Sequence, residues 1–158
     1  MSDDLSIELS WERGETELRP EGYSNAHVLT FGPGHVLSGD AAPGWGGDPA
    51  NTNPEQAFAA SLSSCHMMTF LALSAKAGWP VARYDDRAVA YLGKNAKGRM
   101  SVTRIELNPS VAFDEGFVID ETGMATMHDR AHRYCFIANT LSESVEIAVT
   151  ARRPGGGQ

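Results

Sequence analysis

The sequence predicts an α+β domain: strands that pair antiparallel, one long helix, a strand hairpin, a second helix and a closing strand. Two observations carry most of that prediction. Residues 54–77 hold a single full charge after Glu55, namely Lys76, and are bounded by helix start and stop residues. On either side of this segment, apolar residues recur at alternate positions, the period of a half-buried strand. With 158 residues, 42% of them hydrophobic and 21% charged, the chain has apolar material for a core. One domain is expected over residues 1–153, with a short flexible tail at 154–158.

Taken in order, Leu5, Ile7, Leu9 and Trp11 alternate with polar neighbours, and Ala26–Phe31 and Val36–Leu37 flank the turn residues Gly32-Pro33-Gly34. These predict an antiparallel hairpin region. Residues 39–53 are dense in Gly, Pro and Asn and predict a loop, a candidate lid. Asn53 as N-cap, Pro54 at the first helical position and Gln56 at the third form a helix start of the capping-box kind, while Gly78 and Pro80 end the helix. This long helix is expected to be central and buried. Ser61, Ser63, Ser64, His66 and Thr69 interrupt its apolar runs, which favours a core helix over a membrane span. Arg83–Leu92 and Arg99–Phe113 predict two antiparallel strands around the loop at 93–98. Met100 and Val102 are out of phase with Ile105 and Leu107, so a bulge is expected between them. A second helix over about 122–138 places Cys135 on its buried face, and Val145, Ile147, Val149 and Ala151 alternate as the last strand. The aromatics Trp45, Phe58, Phe70, Trp79 and Tyr134 are expected in the core.

Thirteen basic against twenty acidic residues give a net charge of −7, which repels phosphate backbones and argues against nucleic acid as a partner. The first residues lack a secretion signal, no apolar run is long enough to span a bilayer, and no membrane partner is expected. A cytoplasmic location follows as the expectation. There, two cysteines are inert thiols, metal ligands or a redox pair rather than a purely structural disulfide. Cys65 lies mid-helix among small polar residues. Cys135 follows His128 and His132 at a spacing that puts three possible zinc ligands on one helix face. Glu55 is explained locally by the helix dipole, and ten positions separate it from Cys65, about 15 Å along a straight helix.

The run Asn53-Pro54-Glu55-Gln56-Ala57-Phe58-Ala59-Ala60-Ser61-Leu62-Ser63-Ser64-Cys65, followed far downstream by Ala131-His132-Arg133-Tyr134-Cys135-Phe136-Ile137-Ala138-Asn139, resembles the osmotically induced protein C and organic hydroperoxide resistance (OsmC/Ohr) superfamily. The resemblance implies an OsmC-like fold, an intertwined homodimer whose antiparallel sheets wrap around long central helices. It implies a peroxidase of the oxidative stress response that reduces organic hydroperoxides. Cys65 would be the peroxidatic cysteine and Cys135 the resolving one, with an external dithiol, lipoyl-type in some members, restoring both thiols. No cofactor is implied. The alternative is a non-catalytic OsmC-like protein that binds a small molecule, or zinc through His128, His132 and Cys135.

Glu55 matches a glutamate that, in the family, orients an arginine against the peroxidatic thiolate. Between Pro20 and Ser64 this chain has no arginine or lysine, and Asn25 stands where a basic residue is expected. Arg19 is the nearest replacement, with His27, His35 and His66 as weaker ones, because a neutral imidazole holds a thiolate less well than a guanidinium.

Overall fold

The structure is a computed structural model and describes residues 5–15, 17–141 and 143–154. It resolves into two compact units, the first ending at Ala57 and the second beginning at Phe58. In the first, β1 (Glu8–Ser10), β2 (His27–Thr30) and β3 (Val36–Gly39) form an antiparallel sheet in that order. The turn at Gly32 and Gly34 uses positive φ at both glycines, which is why the hairpin closes there. The loop that follows is tied down. Asp40 accepts hydrogen bonds from the amides of Ala41 (2.7 Å) and Asp48 (3.0 Å), and Gly39 bridges Thr52. Those donors hold the Asp40 carboxyl below its usual pKa, the Asp48 amide contributing most.

The long helix, α1 (Pro54–Ala77), starts and stops at the residues the sequence marks. The amide of Gln56 donates to the Asn53 side chain (2.9 Å) and the amide of Asn53 donates back to Gln56 (3.3 Å), the reciprocal capping predicted. Within the single chain, the burial expected of this helix is found on one face. Only one stripe, Ala59, Leu62, His66, Phe70 and Ser74, is buried, while Met68 is 57% exposed. Steps of three and four residues place that stripe on one side, the side that meets the core.

In the second unit, each of the two strands expected after α1 divides in two. β4 (Val81–Asp85) pairs with β7 (Ser110–Phe113) in one sheet; β5 (Val89–Lys94), β6 (Met100–Leu107) and β8 (Glu146–Val149) make another. The divisions fall at Asp86 and at Asn108-Pro109. Asp86 accepts from the Asn108 amide (2.6 Å) and from the Ser63 hydroxyl (2.5 Å), so one carboxylate holds both breaks. Polar atoms there are satisfied by a side chain rather than by a ladder, which alternation of apolar residues does not reveal. The expected bulge is present: Tyr91 faces Arg104 while Leu92 faces Val102, leaving Thr103 as the extra residue. β8 runs parallel to β6, after a crossover through the second helix.

That second helix also departs from expectation. It is α2 (Glu121–Tyr134) and then, after Cys135, a single short turn, α3 (Phe136–Thr140). Cys135 has extended backbone angles (φ −73°, ψ 117°), and its sulfur accepts from the amide of Ala138 at 3.4 Å, so it caps the second segment instead of sitting within one helix. Two apolar clusters form the core of this unit. One gathers Ala59, Leu62, Ile105, Leu107 and Cys135, the other Phe70, Val111, Met127 and Ala131. Trp45 and Tyr134, expected in the core, are 64% and 62% exposed. Of the expected tail, residues 155–158 lie outside the described residues.

Candidate active site

The first cluster brings the two thiols together. α1 turns Cys65 toward it one helical step after Leu62, and the break between α2 and α3 turns Cys135 into the same cluster, where it is fully buried and Cys65 half-buried. Both are free thiols, and the two side chains are close enough to perturb each other. Burial, and after it the neighbouring Cys65 sulfur, push the Cys135 thiol up to about 11. Cys135 therefore keeps its proton at neutral pH. The surrounding side chains are aliphatic, among them Ile105, Leu107, Ile137, Ile147 and Val149.

Glu55 lies in the first turn of α1, in the first unit. Its Oε2 is buried and has no hydrogen-bond partner among the described residues. An orphaned carboxylate oxygen is costly. Arg19 is mostly exposed and faces Glu17 at 3.7 Å. Asn25 and His27 line a 340 Å³ recess with Leu9, Trp11, Leu18 and Tyr23, and His27 Nδ1 lies 2.7 Å from the Asn25 carbonyl oxygen.

The sequence makes His66 a candidate cation and His128 a candidate zinc ligand; the structure pairs them with each other. His66 Nε2 and His128 Nδ1 are 3.0 Å apart in a buried hydrogen bond, and the rings stack with centroids 5.3 Å apart. Phe70 stacks on His128 at 4.5 Å. Burial drives both imidazoles down to about 4, so neither serves as a cation at neutral pH. Among the described residues no group of three or more His, Cys, Asp or Glu side chains is arranged to hold a metal, which removes the ligand set of His128, His132 and Cys135. The sequence signal for this pair is the buried stripe itself: His66 sits one turn from both Leu62 and Phe70 and so faces the core.

A family model described as OsmC-like protein matches residues 46–150. No curated protein matches the chain. Among solved structures, an OsmC-like protein of unknown function from Vibrio cholerae is 38% identical, with a TM-score of 0.85 over 93% of this chain and 97% of its own. An organic hydroperoxide resistance protein from Elizabethkingia anophelis is 18% identical, with a TM-score of 0.71 over 97% and 99%. One from Legionella pneumophila is 15% identical, with a TM-score of 0.66 over 94% and 98%. The last two share the fold.

Proposed function

We propose, from the premise that this chain belongs to the OsmC-like protein family, that it reduces organic hydroperoxides through Cys65 and Cys135. The observation that carries the reading is the contact of two free thiols seventy positions apart (135 − 65) in an apolar cluster. The Cys65 thiolate attacks the terminal peroxide oxygen; the S–O bond forms as the O–O bond breaks, and the departing alkoxide takes a proton to leave as alcohol. Cys65 is then a sulfenic acid. Cys135, already within reach, attacks that sulfur, forming the disulfide and releasing water. An external dithiol, of lipoyl type, reduces the pair by exchange and departs as its own disulfide. Glu55 serves as an anionic anchor for a cation. The reaction belongs to a reducing compartment, the cytoplasm, where such a disulfide is transient.

The family's relatives named for organic hydroperoxide resistance support the substrate class. A homodimer is part of the same reading, because Met68 on α1, and Tyr134 and Phe136 on either side of Cys135, leave large apolar side chains uncovered.

Counting thiols tests the activity. Reduced protein mixed with cumene hydroperoxide is expected to lose two thiols per chain within seconds, and Cys65→Ser to lose none. Cys135→Ser is expected to stop at a sulfenic acid that dimedone traps. Unchanged thiols in the natural chain over minutes would end the proposal.

A further inference from the structure

Cys135 stands where α2 ends and α3 begins, and there the last carbonyls of α2 lose the amides that a continuous helix would give them. The Cys135 amide takes the His132 carbonyl at 3.3 Å. The Arg133 carbonyl is reached from beyond the break: Asn139, within α3, donates its side-chain Nδ2 to it at 3.1 Å. The backbone amide of Asn139 donates to the Cys135 carbonyl at 3.0 Å. One residue therefore grips both sides of the break, holding α2 through its side chain and Cys135 through its backbone.

This grip bears on the sulfur. The Ala138 amide, one position before Asn139, donates to Cys135 Sγ at 3.4 Å, so the orientation of the thiol follows the place of α3. A segment of five residues makes too few hydrogen bonds of its own to hold that place. Ile137 and Ala138 pack against the cysteine cluster, and Asn139 supplies the polar tie to α2. Thr140 is a contrast: its hydroxyl donates to the Phe136 carbonyl at 2.8 Å, a bond that stays within α3.

We propose that Asn139 is a positioning residue for Cys135, clasping α3 to α2 so that the reduced thiol stays beside Cys65. The inference rests on the paired-thiol reading above and names what presets the pair. An S–S bond holds the two sulfurs together whatever α3 does; in the reduced chain only noncovalent ties do so. Loosening α3 therefore lowers the effective concentration of Cys135 at Cys65 and makes the disulfide easier to reduce.

Equilibrating the full chain with reduced and oxidised glutathione reads that concentration. As the protein S–S bond forms, one oxidised glutathione is reduced to two thiols, which take the protons of Cys65 and Cys135. Asn139→Ala and Asn139→Asp both lack the Nδ2 donor and are expected to shift the equilibrium toward the dithiol at least five-fold, about 20 mV for a two-electron couple. Thr140→Val is expected to stay within two-fold of the natural chain. Asn139 variants with the natural ratio would overturn the proposal. So would a Thr140→Val shift as large as theirs, since general loosening of α3 would then account for both. Peroxide takes no part in this equilibrium, so failure of the peroxidase reading shows in the thiol count with cumene hydroperoxide, and failure of the clasp shows in the glutathione ratio.

Discussion

Cys135 and His128 lie seven positions apart on or beside one helix, and burial acts on them in opposite senses. Removing water disfavours charge, so the thiol is pushed up and the imidazole down, and both groups stay neutral near pH 7. For the histidines this has a consequence for stability. In the unfolded chain each imidazole titrates near 6.5, while in the folded protein His66 and His128 titrate near 4. Between those values the unfolded state binds more protons, so stability rises with pH across the window and is lost as pH falls from about 6.5 toward 4. For His66 the nearby His132 adds to the downward shift and Asp86 opposes it. With two imidazoles each lowered from 6.5 to about 4, the loss by pH 4.5 is on the order of 5 kcal/mol. Urea melts at pH 7.5 and 4.5 are expected to differ by that amount, and a His66→Gln, His128→Gln double variant is expected to flatten the slope. An equal slope in both chains would place the acid sensitivity elsewhere.

At the scale of elements, the sequence marks the ends of α1 because its signals are local: Asn53, Pro54 and Gln56 cap it within four positions, and Gly78 supplies a φ of 72° at its end. The bulge at Thr103 was legible for the same reason, since a change of phase is visible along one strand. What it did not disclose was the breaks after Asp85 and Leu107, because their cause lies in Asp86 bonding to Asn108, 22 positions on, and to Ser63, 23 positions back. Nor did helical periodicity mark the stop at Cys135, whose apolar spacing runs on unbroken into α3. Asp86→Ala removes the acceptor from a backbone amide and a hydroxyl together. It is expected to destabilise the fold by about 2 kcal/mol, measured by chemical denaturation. A change within about 0.5 kcal/mol would mean that water replaces the carboxylate without loss.

For the molecule as a whole, exposed apolar area is the main feature the single chain leaves unanswered. In the first unit Leu9 and Val36 are each 60% exposed, and in the second Phe136 is 82% exposed on the short turn after Cys135. Apolar side chains of this size, left in water on each unit, favour association. Sedimentation of the reduced protein is expected to give twice the 17.0 kDa of one chain, and Met68→Asp is expected to shift it toward one. A chain that sediments at 17.0 kDa at every concentration would end the dimer proposal, while leaving the thiol chemistry to its own test.

Caps, turns, strand phase, the −7 charge and the two motifs around Cys65 and Cys135 were all readable from neighbours along the chain, since each is set by interactions over a few residues. Those motifs were enough to point to the family. The meeting of Cys65 with Cys135, the pairing of His66 with His128 across 62 positions, and the orphaned oxygen of Glu55 belong to packing. They depend on how sheets and helices close on one another, and no spacing along the chain encodes which buried side chains finally touch.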